Sequence, residues 1–150
     1  MPRFNHMELT VPKGALTEHR EEISKFYGEV FEFESLDIEI LKQTGLLLRS
    51  DPETSQFILV TEQRNHLRCP GFDHLGFLYD TRAEVDALLE ECQKRQAQDS
   101  RVELKLYDDL VTGGTTVRAF YVRFLLPIWF DVQCIENAAG SEPQRKWSFD

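Results

Sequence analysis

Two histidines recur at matching places in the chain. His6 lies in the run Phe4–Met7 (FNHM), and His74 lies in Phe72–Leu75 (FDHL), 68 residues later. Both runs read aromatic, Asn or Asp, His, aliphatic, and each opens an extended segment that leads into a helical one. Packing alone does not require histidine at both places. Because neutral imidazole is the commonest metal ligand, the repeat indicates a metal site shared by two copies of one unit.

Strand periodicity assigns the polar residues to faces, since successive side chains of a strand point to opposite sides. In the first strand, Met7 and Leu9 lie on the mostly apolar face, which is predicted to pack on a helix, and His6 points the other way. The predicted polar faces carry His6, Glu8, His74, Tyr121, Trp129, Asp131 and Gln133. Two imidazoles and one carboxylate form a facial triad for Fe(II), Mn(II) or Zn(II) that leaves positions open for a substrate with two adjacent oxygens.

The elements that must position these residues follow the order β-α-β-β-β, twice. The first helix is predicted to begin near Thr17 and to stop at Gly28, and the second to begin at Thr81, where Glu84 completes a capping box. After the helices, strands are predicted around residues 34–40, 46–49, 56–61, 102–107, 117–124 and 128–135. Gly113-Gly114 is predicted to be a hairpin turn.

This order predicts an α+β domain over residues 1–150: two tandem βαβββ modules whose curled mixed sheets surround a concave cup. The predicted parts are module 1 at about 4–61, a linker at 62–71, module 2 at about 72–136 and a polar tail at 137–150 that contains Trp147 and Phe149.

Composition narrows the classes of partner. The net charge is −9 and no basic run occurs, which argues against a nucleic-acid or anionic-membrane partner. The three cysteines form no C-x-x-C pair, which argues against a disulfide framework or a structural zinc site. No apolar signal region or transmembrane-length stretch appears, so we expect a cytoplasmic protein that acts on a small molecule.

Three runs carry a resemblance to a known family. FNHMELTV from Phe4 and GFDHLGF from Gly71 resemble the opening strands of the two modules of the vicinal oxygen chelate superfamily, and Lys25–Phe33 is similar to its first helix and following turn. The resemblance spans about residues 4–136. It implies a divalent metal (Fe, Mn, Zn or Ni) in a cup that is often completed across the two-fold axis of a homodimer.

The resemblance also implies roles for single residues. Family members commonly place a Glu ligand in the last strand, ten residues after an aromatic residue, and Tyr121 and Asp131 have this spacing. The implied ligands are therefore His6, His74 and Asp131, with Gln133 as a substitute or fourth ligand. Tyr121 is implied as a hydrogen-bonding group of the site. The intervening turn, 124–128, lacks the family's Asp and Gly, and Asp is one methylene shorter than Glu.

The reaction type stays open. Glyoxalase-I-like and epimerase-like members take a further ligand from the last strand of the first module, where Leu59 stands at the matching position and Gln56 fits only in a shifted register. Extradiol dioxygenases share the two-His-one-carboxylate pattern, but Ser55 or Gln56, and Thr116, stand where their acid–base histidines are found. Leu59 counts against glyoxalase I, and because ring cleavage needs a proton shuttle, the missing histidines count against an ordinary catechol dioxygenase. Fosfomycin-type thiol transferases share the triad, but no run before Tyr121 matches their substrate-binding residues.

Two functions follow as hypotheses. The first is a metal-dependent dioxygenase, lyase or isomerase acting on a small oxygen-rich substrate, with Tyr121 as catalytic residue and Glu8, Gln133 and Trp129 as substrate-binding or accessory residues. The alternative is a metal-free sequestration protein of the bleomycin-resistance type. In that protein a planar ligand would stack on Trp129 and on the phenylalanines Phe4 and Phe72.

Overall fold

Two units built on a common strand-helix-strand-strand-strand order, the second with one additional strand, follow each other in the computed structural model, which describes residues 3–143. The first unit consists of β1 (His6–Val11), α1 (Ala15–Phe31), β2 (Glu34–Ile40), β3 (Gln43–Arg49) and β4 (Phe57–Glu62). The second consists of β5 (His74–Tyr79), α2 (Arg82–Gln98), β6 (Glu103–Leu106), β7 (Leu110–Thr112), β8 (Thr115–Arg123) and β9 (Trp129–Asn137). The predicted tail residues Trp147 and Phe149 lie outside the described residues.

The strands form two mixed sheets, which confirms the α+β class. The N-terminal sheet has the order β1-β4-β3-β2 and the C-terminal sheet the order β5-β9-β8-β6, with β7 added beside β8. In each sheet the first strand of the unit runs parallel to the last strand, and the other pairs are antiparallel. The two sheets share no strand pair in residues 3–143, and neither closes on itself.

The additional strand β7 was not predicted. It forms a short hairpin with β8 through the turn predicted at Gly113-Gly114, where both residues have positive φ values of 55° and 81°. Such values suit glycine, and paired positive φ values are typical of tight hairpin turns. The turn was predictable because glycine signals it, whereas a three-residue strand is too short to show a periodicity.

Helix α1 does not stop at Gly28, so that prediction was wrong. The helix continues to Phe31, and Glu32 takes the left-handed conformation that ends it, with φ at 59°. Val30 and Phe31 are buried, so the apolar stripe continues beyond the glycine. A Cβ at position 28 would lie 3.3 Å from the Phe33 carbonyl oxygen, so the glycine instead allows close approach of the returning chain.

Helix α2 begins at the predicted capping box. The Thr81 side chain accepts from the Glu84 backbone N–H, and the Glu84 carboxylate accepts from the Thr81 backbone N–H at 2.8 Å. These contacts satisfy two of the donors that a helix start leaves unpaired. Within residues 3–143, neither helix has the length and hydropathy needed to span a membrane.

One continuous core joins the two units. The Tyr27 hydroxyl donates to the Phe124 carbonyl oxygen at 3.0 Å, and the Phe31 ring lies 5.7 Å from Phe77 and 5.3 Å from Phe130. The helix-side residues of both sheets belong to this core. The opposite face of each sheet, called the outer face below, therefore points away from it. As predicted from alternation, the outer faces carry the polar candidates.

Candidate metal centre

The histidine repeat extends across whole rows of the two outer faces. In the N-terminal sheet, neighbouring strands place His6 beside Phe57, Phe57 beside Arg49, and Arg49 beside Glu34. The C-terminal sheet repeats these residue types as His74, Trp129, Arg123 and Glu103. The arginine of each row forms an ion pair with the glutamate. The two units thus share a first row of histidine, aromatic, arginine and glutamate.

The next row along the strands differs between the units. In the N-terminal sheet this second row is Glu8, Leu59, Leu47 and Leu36, and in the C-terminal sheet it is Gly76, Asp131, Tyr121 and Lys105. Leu59 occupies the position equivalent to Asp131. It is also the residue expected at the position of the further ligand of glyoxalase-I-like members. The chemistry-bearing side chains are therefore concentrated in the C-terminal sheet.

His74 and Asp131 form a pair on this sheet. The Nε2 atom of His74 lies 3.7 Å from Oδ2 of Asp131. The Nδ1 atom lies 2.8 Å from the Phe72 carbonyl oxygen, which can only accept, so Nδ1 carries the hydrogen. In the neutral ring, Nε2 therefore has its lone pair beside the carboxylate. A metal-binding histidine commonly has its second nitrogen held by a carbonyl in this way.

The carboxylate of Asp131 lacks a full set of partners. Its residue is only 6% exposed, and Oδ1 is buried without a hydrogen-bond partner among the described residues. Burial raises the pKa of Asp131, and the nearby His74 opposes the rise. Leaving a buried polar oxygen unpaired costs about 1–3 kcal/mol, and more when the group is charged. A cation bound between Asp131 and His74 would relieve that cost, so the pair suits a metal ion.

His6 has the same ligand-ready arrangement on the other sheet. Its Nδ1 lies 2.7 Å from Oδ1 of Asn5, and the Asn5 amide nitrogen donates to the Ser55 carbonyl oxygen, so Asn5 presents an acceptor to the ring. The ring stacks on Phe57 at 4.9 Å, nearly parallel. In the neutral ring, Nε2 of His6 therefore carries the lone pair, on an exposed side chain.

The structure does not bring the three implied ligands together within one chain. In residues 3–143, no group of three or more His, Cys, Asp or Glu side chains is placed to hold a metal. His6 lies on the outer face of the N-terminal sheet, whereas His74 and Asp131 share the outer face of the C-terminal sheet. Because both faces point away from the common core, one chain offers a two-ligand half-site and a separate histidine.

Tyr121 lies beside the half-site. Its ring centroid is 4.6 Å from that of His74 and 4.8 Å from that of Tyr107. Burial raises the pKa of Tyr121, and the charge of Asp131 and the nearby Tyr107 add to the rise. The hydroxyl therefore keeps its proton at neutral pH and can act as a hydrogen-bond donor.

A cleft of about 390 Å³ adjoins Tyr121 and Asp131. Its wall includes the apolar side chains of Leu110, Val117 and Ala119, together with Tyr107 and Gln133. The volume lies in the range of small-molecule sites, which are mostly apolar with a few polar groups. The arrangement could hold a small molecule whose polar end reaches Asp131 and Tyr121.

The accessory candidates have different surroundings. Glu8 accepts from the buried Thr61 hydroxyl at 2.6 Å, and it faces outward on the N-terminal sheet. The Trp129 indole is 5% exposed and lies beneath Arg123, so it offers little open surface for stacking. Phe72, which is half exposed, contacts Trp129 at 5.6 Å and is the accessible ring here.

Sequence reasoning missed Lys105 and Tyr107. Lys105 lies in β6, the edge strand farthest from β5, and pairs with Tyr121 of β8. Tyr107 directly follows β6. The alternation signal was available, because Leu104 packs against the core and its neighbours in sequence must point outward. What the sequence could not show is that this strand lies beside β8.

Comparisons with known proteins support the architecture. No family model matches the sequence, and no curated protein matches it. A solved structure from Bacillus anthracis, described as a glyoxalase family protein, superposes with a TM-score of 0.62 at 19% identity, covering 91% of this chain and 97% of the other. The fosfomycin resistance protein FosX from Listeria monocytogenes superposes with a TM-score of 0.64 at 17% identity, covering 88% and 90%.

A second FosX structure, complexed with Mn(II) and sulfate, gives a TM-score of 0.61 at 15% identity, covering 89% and 93%. At these identities the likeness concerns the fold, and nearly the whole of each chain takes part. The tandem units, the order of strands and these superpositions agree. The chain therefore has the fold of the glyoxalase family protein and of FosX, which is the fold that the sequence resemblance implies.

Proposed function

We propose that the chain is a divalent-metal-dependent enzyme acting on a small oxygen-rich substrate, with its site built from two subunits. His74 and Asp131 of one subunit and His6 of a second copy would hold the metal. The observation that carries the proposal is the buried Oδ1 of Asp131, which has no partner among the described residues, in a carboxylate whose Oδ2 lies 3.7 Å from Nε2 of His74. Most buried side-chain oxygens have a hydrogen-bond partner, so the unpaired Oδ1 marks a position where a ligand can bind.

The exposed apolar residues of the C-terminal sheet support a second subunit. Leu78, Leu110 and Ile135 all lie on its outer face, and they are 68%, 62% and 45% exposed. Large apolar side chains grouped on one face commonly mark a surface that another protein covers. A homodimer in which the N-terminal sheet of one copy covers this face would also bring its His6 toward the half-site.

The residues present fit a first-row divalent ion such as Fe, Mn, Zn or Ni. Two neutral imidazoles and a carboxylate suit these metals, and Gln133 on the same face can contribute an amide oxygen. When bound, the metal would act as a Lewis acid toward substrate oxygens. Tyr121 would donate a hydrogen bond to the substrate, and the apolar cleft would hold its remaining part. Dioxygenase, lyase and isomerase reactions are all consistent with this site.

Metal content measured on purified variants tests the proposal. We expect the wild type to bind one divalent ion per subunit, His6→Ala and His74→Ala to lose it, and the control His66→Ala, in the linker, to keep it. If the two variants are mixed, refolded together and loaded, heterodimers regain one complete site. Random pairing then restores about a quarter of the wild-type content.

The mixing result separates the alternatives. Recovery of metal binding in the mixture would mean that His6 and His74 act from different subunits. If both variants are dimeric and the mixture still binds no metal, the two-subunit site is contradicted. A wild type that binds no metal under reducing, metal-replete conditions contradicts the enzyme proposal itself.

The second candidate is then a sequestration protein, for which the half-exposed Phe72 ring and the apolar cleft beside Tyr107 provide a surface for a planar ligand. Binding of aromatic compounds by the metal-free dimer would support it.

A further inference from the structure

Lys105 belongs to the row of residues that carries the candidate chemistry. It pairs with Tyr121, which pairs with Asp131 on the next strand. The equivalent positions of the N-terminal sheet are all leucine, namely Leu36, Leu47 and Leu59. Where one unit has three leucines, the other has a lysine, a tyrosine and an aspartate. This coordinated difference places Lys105, an exposed residue of the edge strand β6, in the same row as the two site residues.

The ammonium group of Lys105 is held beside aromatic rings and has no carboxylate partner among residues 3–143. Its Nζ lies 5.5 Å from the ring centroids of both Phe72 and Tyr107. The other cation of this face, Arg123, is already paired with Glu103 at 2.8 Å. Aromatic rings attract a cation without neutralising it. Lys105 therefore lacks a carboxylate counter-ion near the half-site, in a protein whose net charge is −9.

From this geometry we propose that Lys105 binds an anionic oxygen group of the substrate, a carboxylate or a phosphate. The inference rests on the proposed function and adds the substrate class. Neighbouring strands lie about 4.8 Å apart, so two strand spacings, roughly 10 Å, separate the backbones of Asp131 and Lys105. The lysine side chain extends over Phe72, which lies two residues before His74. A small molecule can thus reach the half-site with one oxygen group and Lys105 with another.

Titration of the Mn(II)-loaded protein with inorganic phosphate tests this inference by calorimetry. Hydrogen bonds to charged groups contribute about 1.5–3 kcal/mol, so Lys105→Met should weaken phosphate binding by roughly 10-fold or more while leaving Mn(II) affinity unchanged. Lys105→Arg should retain most of the affinity. Lys94→Met, which removes an exposed lysine of α2, is the matched control and should bind like the wild type. Equal phosphate affinity in wild type and Lys105→Met, or equal loss in the Lys94 control, overturns the proposal.

The same titration without metal distinguishes the two proposals. If the wild type binds no Mn(II), the metal function fails, and phosphate binding to the metal-free protein then decides the role of Lys105. Dependence on Lys105 in that state supports an anion site without a metal. If the metal-free wild type and Lys105→Met bind phosphate equally, the proposed role of Lys105 is contradicted.

Discussion

Replacing Asp131 by asparagine should stabilise the metal-free protein and abolish metal binding. The wild type buries a carboxylate whose Oδ1 has no partner, which costs about 1–3 kcal/mol. Protonated His74, at 3.7 Å, would offset less than about 1 kcal/mol of this cost. Asparagine removes the charge but retains a polar amide, so we expect a net gain of about 1 kcal/mol in the free energy of unfolding. For a chain of this length, that corresponds to about 2–4 °C in Tm.

The gain in the free energy of unfolding from Asp131→Asn should depend on pH. Because burial raises the pKa of Asp131, the folded state holds this proton more tightly than the unfolded state. The contribution of this proton to the free energy of unfolding is complete below the pKa of Asp131 in the unfolded state, about 3.9. It is lost as pH rises through the higher pKa of the folded state. The advantage of Asp131→Asn should therefore be absent in acid and appear as pH approaches neutrality.

Urea denaturation in EDTA and in Mn(II), at pH 7.5, measures both effects. Mn(II) at 100 times its Kd should stabilise the wild type by about 2.7 kcal/mol and leave the variant nearly unchanged, so the order of stability reverses. Asp80→Asn, at an exposed position after β5, is the control and should follow the wild type. The reasoning is refuted if Asp131→Asn is less stable than the wild type in EDTA, or if Mn(II) stabilises both proteins equally.

Two further predictions concern the core and the outer face. Tyr27→Phe removes the buried hydroxyl that donates to the Phe124 carbonyl oxygen and should lower the free energy of unfolding by about 1–2 kcal/mol in urea denaturation; an unchanged midpoint would show that the bond contributes nothing. Leu78→Lys places a charge on the outer face proposed to meet a second copy, and should shift sedimentation from dimer to monomer while the control Leu41→Lys, an exposed residue between β2 and β3, stays dimeric. A wild type that is monomeric at micromolar concentration contradicts the two-subunit site.

The sequence by itself determined the local features of this protein. Thr81 and Glu84 lie three residues apart, so their capping box could be recognised without knowledge of the fold. Alternation assigned His6 and His74 to the faces opposite the helices, because the period of a strand is a property of the backbone. The repeated FNHM and FDHL runs predicted two units of one order, and the fold confirms them.

Only the tertiary structure decided which strands are neighbours and which side chains lie together. Gly28 reads as a helix stop, yet α1 continues, because burial of Val30 and Phe31 outweighs the weak helix propensity of one glycine. Alternation states which side a residue faces but not which strand is its neighbour, so Lys105 could not be placed beside Tyr121. It also could not show that the outer faces of the two sheets point away from one shared core. That packing, which depends on contacts far apart in the chain, separates His6 from His74 and Asp131.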